Sequence, residues 1–206
     1  MSQPLSESAT TPRDRRRVLQ ALIGLLLGMF VSMLASTVVS TSLPVIIHDL
    51  GGDQAAYTWV VTATLLTTAI STPIWGKLAD LFDRKMLIQI AIVIFVLSTA
   101  AAGFSQDTTM LIACRAVQGI GAGGLAALSQ VIMADIISPR ERGRYMGLFG
   151  AVMAVATVGG PLLGGVVTDT LNWRWNFFIA LPFAVAALII QQRTLHLPTR
   201  PKKRVR

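Results

Sequence analysis

The decapeptide GKLADLFDRK, at residues 76–85, concentrates charge in a sequence that otherwise avoids it. Its charged residues are Lys77, Asp80, Asp83, Arg84 and Lys85, and the segments on either side are nearly free of charge. Arginine and carboxylate side chains form directional, often bidentate pairs. The two aspartates therefore indicate ion pairing, because lysine and arginine alone would suffice to fix one side of a membrane topology.

Arg115 lies within a long apolar segment, and Gln118 follows it by one helical turn. A charge at the centre of a membrane span costs roughly 2.5–3.5 kcal/mol on insertion scales. We therefore expect Arg115 to face the protein interior or a cavity, close to Gln118. Two interpretations stay open: a functional cation, or a structural arginine that bonds carbonyls or reaches outward.

Enzymatic chemistry is not expected from this sequence. It contains no evident nucleophile–base pair and no cluster of metal ligands, and His48 and His196 are isolated. Cys114 is the single cysteine, so an intrachain disulfide is excluded. No metal and no organic cofactor is therefore predicted.

The elements that must position these residues are predicted to be membrane spans. Hydrophobic residues make up 53% of the 206 residues and charged residues only 14%, compared with about 25% charged in soluble domains. A span needs about 20 mostly apolar residues. Six segments qualify, and they predict an all-α integral membrane protein: 18–43, 57–75, 86–104, 109–133, 145–167 and 176–192.

The net charge of +8 is distributed asymmetrically. Nearly all lysines and arginines fall before the first segment, between the second and third, between the fourth and fifth, or after the sixth. This positive-inside pattern predicts a multi-pass protein of the cell membrane with both termini in the cytoplasm. Residues 1–17 are predicted to be a disordered N-terminus and 193–206 a basic tail facing anionic lipid headgroups. Nucleic-acid binding is not expected.

Small and hydroxylated residues recur at helical spacing within the segments. Ser36 and Ser40 share one face of the first segment, and Thr62 belongs to a threonine-rich second segment. Such faces allow close helix packing and hydrogen bonds between helices. Packing is the simpler interpretation, and a polar cavity lined by Ser36, Ser40 and Thr62 is the functional alternative.

A short pattern occurs twice, three segments apart. Pro73, Gly76, Asp80 and Arg84 are matched at similar spacing by Pro161, Gly164, Asp169 and Arg174. An odd number of spans between the copies reverses their direction across the membrane. The pattern predicts a 3+3 inverted repeat, which is typical of secondary transporters.

Four motifs together resemble those of the major facilitator superfamily, in its 14-span drug:proton antiporter branch. They are GKLADLFDRK at 76–85, LIACRAVQGIGAG at 111–123, GPLLGG at 160–165, and the pair STSLPVI at 40–46 with NWRWNFFIALP at 172–182. The resemblance covers about residues 18–192, and it implies the amino-terminal six-span half of that fold. Asp83 departs from the pattern, which has a glycine there.

The resemblance implies roles for individual residues. Gly76, Lys77, Asp80, Arg84 and Lys85 would form a cytoplasmic gate loop, in which Asp80 caps a helix start and Arg84 bonds Asp135. Arg115 and Gln118 would take part in proton coupling, with the proton as coupling ion. Gly160, Pro161, Gly164 and Gly165 would form the kink associated with antiporters. Ala35 occupies a position where this branch usually has an acid, and no Asp or Glu lies in the middle of any span.

The predicted function is proton-coupled efflux of a small, amphipathic substrate, with this chain as the amino-terminal half of the transporter. The chain is expected to be a fragment or a truncated product that lacks its carboxy-terminal half. Two alternatives stay open: a half-transporter that acts as a homodimer, and a non-transporting membrane protein that regulates a full-length partner.

Overall fold

The computed structural model describes residues 12–194, which form six α-helices. The helices are α1 Pro12–Asp49, α2 Gln54–Leu81, α3 Arg84–Gly103, α4 Thr108–Ile136, α5 Arg142–Thr170 and α6 Trp175–Thr194. Each of them contains one of the six predicted segments almost entirely. The all-α prediction is therefore confirmed. The predicted basic tail lies outside the described residues from position 195 onwards.

The prediction of a disordered N-terminus is wrong for residues 12–17, because α1 already begins at Pro12. Proline is favoured in the first turn of a helix, where its missing N–H is not needed. The arginines that follow have a high helix propensity. The basic segment before the first span therefore extends the helix. Residues 1–11 lie outside the described part of the chain.

Three helices begin at an aspartate that caps the helix. Asp53, Asp83 and Asp107 each accept a hydrogen bond from the backbone N–H three residues further on, at 2.9, 3.0 and 2.7 Å. Such caps satisfy one of the free N–H groups of the first helical turn. They set the starts of α2, α3 and α4 more sharply than hydropathy does.

Five of the six helices are long and apolar enough to cross a membrane. The exception is α2, although residues 54–76 carry no charge. Its hydropathy is lowered by repeated threonines, among them Thr62, Thr64, Thr67 and Thr68. With 28 residues, α2 is nearly as long as α4, which has 29 residues and packs alongside it.

The contacts between helices show an internal repeat, in which α1, α2 and α3 correspond to α4, α5 and α6. α4 packs against α2 and α3, and α1 packs correspondingly against α5 and α6. Two further contacts, α1 with α4 and α3 with α6, are unchanged when the two sets are exchanged. The predicted 3+3 repeat is confirmed by this arrangement. α1 and α4 lie at the centre of the bundle.

Hydroxyl groups connect the closely packed pairs. On α2, Thr64 and Thr68 donate to the carbonyl oxygens of Arg115 and Gly119 on α4, at 3.2 and 3.1 Å. On α1, Thr37 donates to the carbonyl of Ala156 on α5 at 3.2 Å. The packing interpretation of the hydroxylated faces is thus confirmed for these residues.

Two large apolar clusters make up most of the bundle core, beside two smaller ones. One large cluster includes Leu25, Ile88 and Leu128, and lies toward the end where Pro12, Arg84 and Arg142 begin their helices. We call this the basic end. The other includes Leu43, Leu111 and Phe177, and lies toward the opposite end. Ala35 is buried in the first cluster, with 2% of its surface exposed.

Candidate functional site

The charged loop at residues 76–85 is held by an ion pair at the basic end. The guanidinium of Arg84, at the start of α3, pairs with the carboxylate of Asp135 in the last turn of α4. The two side chains are only 13% and 28% exposed. Arg84 also donates through Nε to the carbonyl of Ala79 at 3.2 Å. The expected contact between Arg84 and Asp135 is therefore present, and it connects α2, α3 and α4.

The expected helix cap at Asp80 is wrong, because the cap is formed by Asp83. Asp80 lies in the last turn of α2 and is exposed. Asp83 is the residue just before α3, and its carboxylate accepts from Met86 N–H at 3.0 Å. The residue that departs from the family pattern thus has a structural role, since an aspartate at this position satisfies the free end of α3.

The other residues of the loop differ in their contacts. Lys77 is exposed, whereas Lys85 donates from Nζ to the carbonyl of Gln192 in α6 at 2.9 Å. A Cβ added to Gly76 would meet nothing within 4 Å. Packing within this half of the fold therefore does not require a glycine at position 76.

Arg115 is buried inside the bundle, as expected. Only 4% of it is exposed, and its Nη1 donates to Oε1 of Gln118 at 2.7 Å. Gln118 donates in turn to the hydroxyl of Thr99 on α3 at 2.9 Å. Nε of Arg115 has no hydrogen-bond partner among the described residues. The arrangement is a buried cation at one end of a polar chain, without a carboxylate in that chain.

The predicted kink residues divide into two groups. Gly160 and Gly164 are buried where α5 crosses α1, and a Cβ on Gly160 would clash with the side chain of Thr37. Pro161 is exposed on the far side of α5, and Gly165 has nothing within 4 Å of an added Cβ. α5 continues through Pro161 to Thr170. Gly160 and Gly164 therefore allow the close crossing of α1, and Gly165 is not needed for it.

A polar cluster beside this crossing was not predicted. Asn176 of α6 is 1% exposed, and its Nδ2 lies 2.5 Å from the hydroxyl of Ser42 and 2.8 Å from that of Thr168. Ser42 also contacts the carbonyl of Gly164 at 3.3 Å. The cluster connects α1, α5 and α6 just beyond the predicted kink.

A second unpredicted set of contacts lies at the opposite end of the bundle. Nε1 of Trp173 donates to the carboxylate of Asp49 at 2.9 Å, which joins the segment between α5 and α6 to the end of α1. The guanidinium of Arg174 lies 4.4 Å from the centre of the Trp173 ring. It also donates to the carbonyls of Gly103 and Ser105 at the end of α3, at 2.9 and 2.7 Å. NWRW belongs to the motif at 172–182, but its residue types and spacing do not indicate these partners.

The proposed cavity residues do not gather into a closed site. Ser36 and Thr62 are half-buried, and Ser40 is exposed with its hydroxyl bonded to the carbonyl of Ser36 at 2.8 Å. Their role as cavity lining stays a prediction. Ala35, by contrast, points into the packed core.

α5 and α2 are among the helices that expose apolar faces not covered by the described chain. In α5 only 11% of the most apolar 18-residue stretch is buried, compared with 56% of the corresponding stretch in α4. Val155, Val158, Leu162 and Val166 form this face, and α2 exposes Leu66, Ile70 and Ile74 in the same way. Lipid or further protein must cover both faces.

The fold and these contacts define a multi-pass helical membrane protein built as an inverted repeat. Comparison with solved structures gives the same fold: the human organic anion transporter MFSD10 (TETRAN) superposes with a TM-score of 0.69 at 25% identity. That match covers 91% of this chain and 49% of the other. A bacterial homologue of the lysosomal transporter Spinster superposes with a TM-score of 0.68 at 18% identity, over 94% of this chain and 45% of that one.

The family sequence model of the Major Facilitator Superfamily matches residues 25–206 of this chain, so the chain belongs to this family. The efflux pump dotC of Dothistroma septosporum is 46% identical over 162 residues, which are 79% of this chain and 28% of the pump. The multidrug transporter protein MdtP of Bacillus subtilis is 40% identical over 155 residues, 75% of this chain and 28% of that protein. The chain thus spans under a third of these curated relatives, and about half of the solved transporters.

Proposed function

We propose that this chain forms the amino-terminal half of a proton-coupled efflux transporter for small, amphipathic molecules. The proposal is supported by the fold together with the sequence similarity to efflux transporters. The six-helix inverted repeat superposes on 49% of one solved transporter chain and on 45% of another. Its sequence relatives include efflux pumps and a multidrug transporter.

A second half is part of the proposal, because alternating access moves one half of such a transporter against the other. The uncovered apolar faces of α2 and, from Val158 to Val166, of α5 are suitable surfaces for that half. The gate function of the Arg84–Asp135 pair belongs to the same mechanism. A partly exposed ion pair contributes about 1 kcal/mol, which a conformational cycle can break and re-form.

We assign proton coupling to the hydrogen-bonded side chains of Arg115, Gln118 and Thr99. A buried guanidinium stays protonated, so it does not itself release the proton. No acid lies in the middle of a span here, so the carboxylate on which Arg115 acts would come from the other half. Because Arg115 is 4% exposed, that carboxylate would reach it only in a conformation that opens this part of the bundle. Protonating that carboxylate would free Arg115, and the change in pairing would be coupled to movement of the halves.

The proposal places the protein in the plasma membrane with the basic end in the cytoplasm. The asymmetry of lysine and arginine supports this orientation. Thiol labelling of Asp80→Cys and Thr170→Cys in a Cys114→Ser background, in intact cells, tests it. Labelling of position 170 by an impermeant reagent is expected, and labelling of position 80 alone would reverse the orientation.

Dye efflux driven by a proton gradient tests the function. The chain is compared alone, in a fusion to the carboxy-terminal half of MdtP, and in that fusion with Arg115→Ala. We expect efflux only from the unmodified fusion, while the variant still inserts into the membrane. Full efflux by the Arg115→Ala fusion would refute the coupling role. Efflux by the chain alone, with a native mass of two chains, would favour a homodimer.

A further inference from the structure

An apolar groove separates α1 from α5 near the basic end. It has a volume of about 430 Å³, and its walls include Ile23, Leu27 and Phe30 of α1 and Ala151, Val152 and Val155 of α5. Toward the middle of the bundle the groove ends where the two helices are in contact, because Thr37 there bonds to the carbonyl of Ala156.

A second cavity, with one arginine in its lining, follows the groove toward the basic end. This cavity measures about 480 Å³ and is lined by Leu19, Arg144, Tyr145 and Leu148. Leu19 precedes Ile23 by one helical turn, and Leu148 precedes Val152 by one turn, so the two cavities follow each other along the same pair of helices.

One guanidinium group lies at this mouth, and a second arginine lies on the adjoining face of α1. Arg144 lines it, and Arg16 is exposed on the same face of α1 as Leu19 and Ile23, at the spacing i, i+3, i+7. Neither arginine forms an ion pair with a described residue. Glu141, the acid nearest to Arg144 in sequence, instead accepts from the hydroxyl of Ser138 at 3.2 Å. The mouth thus carries positive charge that no described residue neutralises in an ion pair.

We propose that the groove binds one anionic phospholipid, with an acyl chain between α1 and α5 and the phosphate on Arg144 and Arg16. The apolar walls match a hydrocarbon chain, and the volume is in the range of ligand pockets. Guanidinium groups at the edge of the apolar region bind anionic headgroups by charge-assisted hydrogen bonds. The proposal needs only insertion of the chain into a membrane, and it does not rest on transport.

Native mass spectrometry of the full 206-residue chain tests the site. The protein is equilibrated in detergent with equal amounts of palmitoyl-oleoyl phosphatidylglycerol and phosphatidylcholine. We expect one phosphatidylglycerol per chain, retained about tenfold over phosphatidylcholine. Arg144→Gln is expected to reduce this preference about fivefold. Arg140 is exposed just before α5 and lines neither cavity, so Arg140→Gln is expected to leave the preference unchanged.

A second pair of variants tests the groove itself. Val152→Trp fills the groove and is expected to remove both lipids, whereas Val166→Trp on the exposed face of α5 is expected to retain them. Circular dichroism checks that each variant keeps its helix content, and if Val152→Trp does not fold, the arginine pair decides alone. Equal retention of the two lipids, or equal effects of the two arginine variants, would overturn the proposal.

The same experiment separates other occupants. Displacement of phosphatidylglycerol by millimolar inorganic phosphate would assign the site to a free anion and overturn the lipid. A mass of two chains that is lost in Val152→Trp would assign the groove to a second copy, and this too would overturn it.

Discussion

Gly164 of α5 lies directly on the backbone of α1 at Val38. A Cβ added to Gly164 would come within 2.8 Å of the carbonyl oxygen of Val38 and 3.1 Å of its Cα. Because these are backbone atoms, they cannot rotate away as a side chain can. The crossing of α1 and α5 therefore depends on a glycine at this position.

Gly164→Ala is expected to destabilise the bundle by about 1–3 kcal/mol, because overpacking forces the helices apart. Thermal unfolding in detergent, followed by circular dichroism, measures the effect. Gly165→Ala is the matched control, since an added Cβ there has nothing within 4 Å. Equal unfolding temperatures of the two variants would contradict the packing assigned to Gly164.

The pair of Arg84 and Asp135 is expected to contribute a coupling energy of about 1 kcal/mol. A double-mutant cycle with Arg84→Gln, Asp135→Asn and both together measures it by denaturant unfolding in micelles. The single variants should each destabilise the chain, and the double variant should lose less than their sum. Strict additivity would show that the two side chains do not stabilise each other.

Gln118→Leu is expected to destabilise the chain by about 1–3 kcal/mol, because it leaves a buried N–H of Arg115 without an acceptor. Gln130 of the same helix is exposed, so Gln130→Leu serves as the control. Stability of both variants is compared in the same detergent. A Gln118→Leu protein as stable as the control would mean that Arg115 finds another partner.

Trp173→Phe is expected to cost about 1 kcal/mol, because it removes the hydrogen bond to Asp49. Trp173 is 3% exposed and Trp175 is 51% exposed, so Trp175→Phe retains most buried contacts. Hydrogen exchange at the end of α1 provides a local measurement. Faster exchange around Asp49 in the first variant alone is the expected result.

Most of the helical architecture could be predicted from the sequence, because hydropathy reports directly on transfer to lipid. The helix ends could not be predicted as well. Pro12 begins α1 in a segment that its polar composition marked as disordered, and Asp83 rather than Asp80 caps α3. Both depend on the backbone conformation at the helix start, which composition does not report.

The candidate site was predictable where its partners are close in sequence. Arg115 and Gln118 are one turn apart on α4, so their contact follows from helix geometry. The partner of Arg84 came instead from the family resemblance, since spacing alone gives no contact between different helices. For the same reason, the bonds of Asn176 to Ser42 and of Trp173 to Asp49 were missed.

The threonine content of α2 has a consequence for how the chain enters the membrane. The hydroxyls of Thr64 and Thr68 bond to carbonyls of α4, a helix that is synthesised later. While the ribosome is still making α3, these hydroxyls have no acceptor on another helix. We therefore expect α2 to become stably inserted in the membrane only after α4 has left the ribosome. Helices would then insert in pairs and not one at a time.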